Sequence, residues 1–323
     1  MVTIIGGVPM ELPIMLGAGV CKTPASVAEY MHPDVPLGAV VTGSYTPEPR
    51  EGNKGTLYAW VENGDSSFAL NSFGMPNCGY HAAHRELSLQ VRTHPLIVSI
   101  AAFSKQGFGD GQLLFARNTA FVDAVEINTG CPNAHEEKTE PFANDFDSMS
   151  GLLELCSRLH AEVPVWLKLS PYITTEDLAY FPADVDISHV PLVSFDFPKK
   201  MATLIASYAG LIRAVVTTNT VGNCVYRRKG APVTTPNGGK AGMSGPTMKQ
   251  FALRQTKIFR DALPSSIDVI GCGGIMTGDD VYDYLKIGAT GVQCTTLPYQ
   301  FGGPKVFADL ISGSEKLQQL LNL

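Results

Sequence analysis

A chain of 323 residues with 45% hydrophobic side chains buries a substantial core, which excludes a disordered protein. Its formal charge of -6, with lysines and arginines scattered along the sequence, excludes the basic footprint of a nucleic-acid binder. Seven cysteines, an odd number without C-x-x-C pairing, argue against a disulfide frame, a zinc site or an iron–sulfur centre and for a reducing cytoplasm.

Residues 1–8 hold no basic segment and only a short apolar run, so neither a secretion signal nor a membrane span is expected. Short apolar runs ending in small or polar residues then recur at 13–19, 38–44, 96–101, 123–128, 163–170, 213–219, 267–274 and 289–296. These are eight strand candidates, and helical periodicity fills 148–159, 201–208, 248–263 and 279–287 between them. Near-continuous apolar strands separated by helices predict a parallel sheet covered on both faces. Eight repeats predict a closed (β/α)8 TIM barrel, one domain over 1–323, with elaborated loops over its C-terminal face. Two segments break the spacing. Residues 46–96 are turn-rich and are expected to form a long loop over the barrel top, and 173–197, without a clear period, to be an insertion near the site or a partner surface.

The strand ends carry the chemistry. In Glu126-Ile-Asn-Thr-Gly-Cys-Pro-Asn133 a thiol stands between two carboxamides just past a buried strand, where parallel α/β proteins build their sites. Taken singly, Cys131 reads more simply as packing, and Asn71, Asn128, Asn133 and Asn219 as turn residues. Together, four amides at one barrel face suit a small planar ring that needs matched donors and acceptors. Lys168 interrupts an apolar strand, and a buried lysine calls for a nearby anion: a carboxylate, a phosphate or a reduced flavin. Gly271-Cys-Gly-Gly274 and Gln293-Cys-Thr-Thr296 end the last two strands, where barrels often cradle a phosphate with backbone N–H groups. Neither is a dinucleotide fingerprint or a Walker loop, and no metal-ligand cluster is expected.

These motifs, with Asn71-Ser-Phe-Gly-Met-Pro-Asn-Cys-Gly79, Lys168-Leu-Ser-Pro-Tyr172, Asn219-Thr-Val-Gly-Asn223, Gly242-Met-Ser-Gly-Pro246 and Gly271-Cys-Gly-Gly-Ile275, resemble the dihydroorotate dehydrogenase family, class 1, and most closely class 1A. The resemblance runs from about Pro13 to Val306. It implies an FMN-dependent oxidation of dihydroorotate to orotate in pyrimidine biosynthesis, with Cys131 as base and hydride passing to flavin N5. By that resemblance Asn71, Gly74, Met75, Asn128, Asn133, Asn219 and Thr220 hold the substrate, and Lys168 lies against the flavin and steadies its growing charge. Ala18, Gly19, Gly43, Ser44, Asn128 and Thr218 line the flavin, while Ser244, Gly245, Gly273, Gly274, Thr295 and Thr296 take its ribityl phosphate. His135 and Lys138 are candidates for favouring the Cys131 thiolate, against their ordinary reading as solvated surface. A cytoplasmic homodimer using fumarate as acceptor is implied, whereas NAD would require a separate electron-transfer subunit.

Three departures qualify the resemblance. Thr42-Gly43-Ser44 stands where the family has Thr-Lys-Ser, whose lysine reaches both flavin and substrate. Residues 134–141 lack the family's Pro-Gly-Lys-Pro run and add acidic groups that would repel orotate. Residues 173–197 are extra. Two further readings follow: the same flavin chemistry on another dihydropyrimidine, or a barrel that binds a ligand without turnover.

Overall fold

The computed structural model describes residues 2–64, 66–117, 119–131 and 141–323. Eight parallel strands close into a barrel: β1 (Ile14–Leu16), β2 (Ala39–Val41), β3 (Leu96–Ile100), β4 (Ala124–Asn128), β5 (Val165–Leu169), β6 (Ile212–Thr217), β7 (Asp268–Cys272) and β8 (Gly291–Cys294). Every predicted strand is present, and each pairs with its neighbour in sequence, β8 returning to β1. All five residues of each of β3, β4 and β5 are buried, as strands covered on both faces must be.

Helices Phe146–Ser157, Phe197–Ala206, Lys249–Ala262 and Gly278–Lys286 stand within a few residues of their predicted limits. Helix Lys105–Phe115 escapes periodicity because glycines 107, 109 and 111 weaken its pattern. Those glycines serve packing: a Cβ at Gly111 would fall 2.8 Å from the Tyr80 hydroxyl. Among the described residues no helix is long and apolar enough to cross a membrane.

The N-terminal end of the barrel is sealed by a hairpin, Thr3–Ile5 with Val8–Met10, turning through Gly6 and Gly7 at φ 57° and 84°. Two successive residues at positive φ make the tight turn that matches strand twist, and a Gly-Gly pair between apolar runs is its sequence signal. Trp166 Nε1 donates to the Gly6 carbonyl at 2.9 Å, and Gly6 N donates to Asp268 Oδ2 at 2.6 Å. Ile5, Val8 and Met10 thereby join Met15, Trp166 and Ile270 in the core inside the barrel.

Over the C-terminal face lies a second, antiparallel sheet in the order Val185–Asp186, Val221–Arg228, Ala241–Ser244, Ser66–Asn71, Tyr58–Asn63. The two irregular segments find their place here. Residues 46–96 form a hairpin in this roof and then helix Tyr80–Leu87 against the barrel, rather than one long loop. Residues 173–197 pack into the same layer. They contribute Ile173, Phe181, Val185 and Val190 to the roof's own core, with Phe68, Val221 and Met243.

Candidate active site

The C-terminal end of β4 organises the floor of a cavity beneath the roof. Asn128 Nδ2 donates to Ser44 Oγ at 2.8 Å, and its Oδ1 accepts from Asn219 Nδ2 at 2.9 Å and from Gly130 N at 3.3 Å. Asn219 in turn accepts the Thr220 N–H at 2.8 Å, while Asn71 Nδ2 donates to the Gly242 carbonyl at 3.1 Å. Ser44 meets Ser99 Oγ at 2.9 Å, and Ser99 donates to Glu126 Oε1 at 3.1 Å. Gln293 Nε2 donates to Glu126 Oε2 at 2.7 Å and accepts Lys168 Nζ on its Oε1 at 3.0 Å. One continuous chain of hydrogen bonds therefore joins Lys168 to Asn219 through the barrel interior.

That chain explains a buried lysine. Lys168 is 4% exposed and Glu126 0%. Burial by itself pushes the lysine pKa down, yet its neighbours, Glu126 among them, outweigh burial and raise it above the ordinary value. Burial also raises the Cys272 thiol, which is then neutral near pH 7 and adds no charge. The carboxylate sustaining the ammonium is Glu126, relayed through the Gln293 amide.

The cavity above this floor encloses about 1230 Å³ of space, its open mouth included. Cys131 lines it, half-buried, and interacts electrostatically with Lys168. All the described residues singled out from sequence line this same cavity: Ala18, Gly19, Gly43, Ser44, Asn71, Gly74, Met75, Asn128, Cys131, Lys168, Thr218, Asn219, Thr220, Ser244, Gly245, Gly273, Gly274, Thr295 and Thr296. Asn133, His135 and Lys138 lie outside the described residues.

One wall is a cradle of glycines. Gly245, Gly273 and Gly274 have φ of 88°, 136° and 71°, and a Cβ at Gly274 would fall 2.5 Å from Lys249 N. Among the described residues no acceptor engages their N–H groups. Loop N–H groups bared in this way suit the oxygens of a phosphate, and the Ser244, Thr295 and Thr296 side chains on the same cavity add hydroxyls.

The sequence profile described as Dihydroorotate dehydrogenase matches residues 1–320. The chain belongs to the dihydroorotate dehydrogenase family. It is 29% identical to "Dihydroorotate dehydrogenase A (fumarate)" of Lactococcus lactis subsp. lactis (strain IL1403), over 94% of this chain and 90% of that protein. It is 28% identical to "Dihydroorotate dehydrogenase B (NAD(+)), catalytic subunit" of Methanopyrus kandleri, over 80% of this chain and 73% of that protein. In fold it is similar to the crystal structure of DHODH from Eimeria tenella in complex with ferulenol, with a TM-score of 0.73 at 18% identity, covering 99% of this chain and 84% of that one.

Within this dihydroorotate dehydrogenase family member, Gly43 acquires a local cause. Its N–H donates to the Cys21 carbonyl at 2.6 Å, and a Cβ there would fall 2.5 Å from that oxygen and 3.1 Å from Lys22 Cα. Backbone occupies the space a side chain would need. Gly43→Ala is expected to cost about 1–3 kcal/mol through overpacking, read as a lower thermal midpoint. An unchanged midpoint would show that the Cys21–Lys22 backbone yields freely. Sequence reading missed Lys22, Tyr58, Phe73 and Tyr299, which also line the cavity. Lys22 follows β1 by six residues, in a βα connection where barrels build their sites, and that position was its only signal.

Proposed function

We propose that this protein binds FMN and oxidises dihydroorotate to orotate, with Cys131 as the base and Lys168 supporting the flavin. The observation that carries this reading is the convergence of Asn71, Asn128, Asn219, Cys131 and Lys168 on one cavity that also holds the Gly245–Gly273–Gly274 cradle. FMN supplies a hydride acceptor at N5, and its phosphate matches the cradle's bared N–H groups. Ala18, Gly19, Gly43, Ser44 and Thr218 would border the isoalloxazine ring, with Ser244, Thr295 and Thr296 adding hydroxyls around the phosphate. Gly74, Met75, Thr220 and, by resemblance, Asn133 complete the substrate side.

The residues divide the work by their chemistry. Asn71, Asn128 and Asn219 offer donors and acceptors to an imide ring, so a ring lacking those groups would leave buried amides unpaired. Cys131 removes a proton from one ring carbon while the adjacent carbon gives up hydride. Lys168 stands nearby as a fixed positive charge where negative charge accumulates. Glu126 and Gln293 hold that ammonium in place. Fumarate is the proposed electron acceptor, since the relatives matched over 94–96% of the chain carry fumarate in their names.

The test is a visible spectrum of the purified protein followed by dihydroorotate under anaerobic conditions. Bleaching of the long-wavelength flavin band is the expected result. A flavin that dihydrouracil bleaches and dihydroorotate does not would select a neutral dihydropyrimidine, the second reading, which Gly43 favours. A flavin that neither compound bleaches would favour a binding barrel without turnover. Gly274→Ala probes the cradle: with φ at 71° and Lys249 N at 2.5 Å from the added carbon, the loop must move. The variant is expected to purify with at least about tenfold weaker flavin binding, the loss of one or more charge-assisted hydrogen bonds. Full flavin content at wild-type affinity would remove the cradle from the phosphate site.

A further inference from the structure

The described lining of the cavity contains two cations, Lys168 from β5 and Lys22 from the connection after β1. Lys168 is committed to Gln293 and matched by Glu126. Lys22 is not so matched. Its Nζ lies 3.2 Å from the centroid of the Phe73 ring and 4.9 Å from that of Tyr299, and among the described residues no carboxylate pairs with it. A ring face attracts an ammonium through its quadrupole yet leaves N–H donors available to an oxygen. Burial without an anion to offset it pushes the Lys22 pKa down to about 8, so the charged form still predominates at neutral pH.

The surrounding frame holds this charge in one place. Phe73 stacks on Tyr58 with centroids 6.2 Å apart and meets Tyr299 edge-on at 5.6 Å, while Tyr58 Oη donates to Gln300 Oε1 at 2.8 Å. Phe73 belongs to the same segment as Asn71, Gly74 and Met75, all of them on the cavity. The bare Gly43 is the other half of the arrangement. Having no side chain there lets the connection after β1 close onto β2, which brings Lys22 to the cavity edge.

We propose that Lys22 binds the carboxylate of an anionic dihydropyrimidine and selects it over neutral rings of the same shape. This rests on the reading of the cavity as a dihydroorotate site and names the residue that gives it charge specificity. A partly desolvated ammonium, fixed in advance by aromatic rings, gains more from an incoming anion than a mobile surface lysine does. It carries to the first βα connection a positive charge that the second strand, ending in Thr42-Gly43-Ser44, does not supply.

The experiment titrates the flavin-loaded protein with orotate and with uracil, its neutral counterpart, following perturbation of the flavin spectrum without turnover. Wild type is expected to prefer orotate. Lys22→Gln is expected to weaken orotate about 10- to 100-fold, the worth of a charged hydrogen bond, while changing uracil affinity and flavin content little. Lys22→Arg should restore most of the orotate affinity. Lys22→Met, which keeps the stem's packing on the rings, gives the same readout should the Gln variant disturb the frame. Unchanged orotate affinity in the Gln and Met variants overturns the proposal, as does equal weakening of both ligands, which would make Lys22 part of the frame only. Loss of flavin would place Lys22 against the cofactor and overturn it too. Should dihydroorotate reduce the wild-type flavin while Lys22→Gln binds orotate normally, this proposal falls alone. A wild-type flavin that responds to neither dihydroorotate nor orotate removes the underlying reading with it.

Discussion

Cys131→Ala is expected to leave flavin binding and folding intact and to slow flavin reduction by dihydroorotate by about 10²- to 10⁴-fold. Retained folding follows from how the connection is anchored. Thr129 N and Oγ1 both donate to the Lys168 carbonyl, at 3.1 and 2.8 Å, and Gly130 N donates to Asn128 Oδ1. A Cβ at Gly130 would fall 2.5 Å from Ser170 N, so the backbone just before the thiol lies flat against the end of β5. None of these bonds uses the Cys131 side chain. The deficit belongs in the single-turnover reduction rate, with oxidation of reduced flavin by fumarate changed far less. A reductive rate within about threefold of wild type would sink the assignment of Cys131 as base, since a positioned base contributes far more.

Lys168→Met is expected to destabilise the protein by about 3–5 kcal/mol, because it leaves Glu126 charged, buried and without its cation. Glu126→Leu should cost a similar amount by stranding the ammonium. The double replacement is the informative arm: it removes both charges and should recover a large part of the loss, a non-additivity that measures their coupling through Gln293. Thermal and denaturant unfolding of the four proteins closes the cycle. Additive losses would show that the two charges do not depend on one another. Either single variant should also reduce its flavin more slowly, by loss of a charge at the reacting centre.

Sequence and structure agree where periodicity is strong. The eight barrel strands were legible because each is a short apolar run buried on both faces, and Lys168 stood out because nothing else in β5 is polar. The strand-end amides were legible as a group, since a parallel barrel brings its C-terminal ends together whatever the spacing in sequence. The roof was not, because the pairing that joins its two halves spans more than a hundred residues, Asn71 with Gly242 for example, and no local pattern encodes that. Helix Lys105–Phe115 was hidden by glycines that allow close packing, Gly111 against Tyr80 among them. Lys22 was hidden for another reason. Its role depends on Phe73 and Tyr299, which reach the same point from two other parts of the chain.

The roof's pairing carries a consequence for how this protein is made and lost. Strand Ser66–Asn71 waits for Ala241–Ser244 before it has a partner on that edge, so closing it spans most of the polypeptide. Such long-range closure is slow relative to local events, and the nascent chain holds an unpaired edge until about three quarters of it has been synthesised. Asn71 and Ser244 sit on those two strands and both line the cavity, so a local opening there displaces two lining residues in one event. A ligand gripping both would suppress that opening by mass action, and amide exchange across Ser66–Asn71 should slow as flavin is added, well before exchange in the barrel changes.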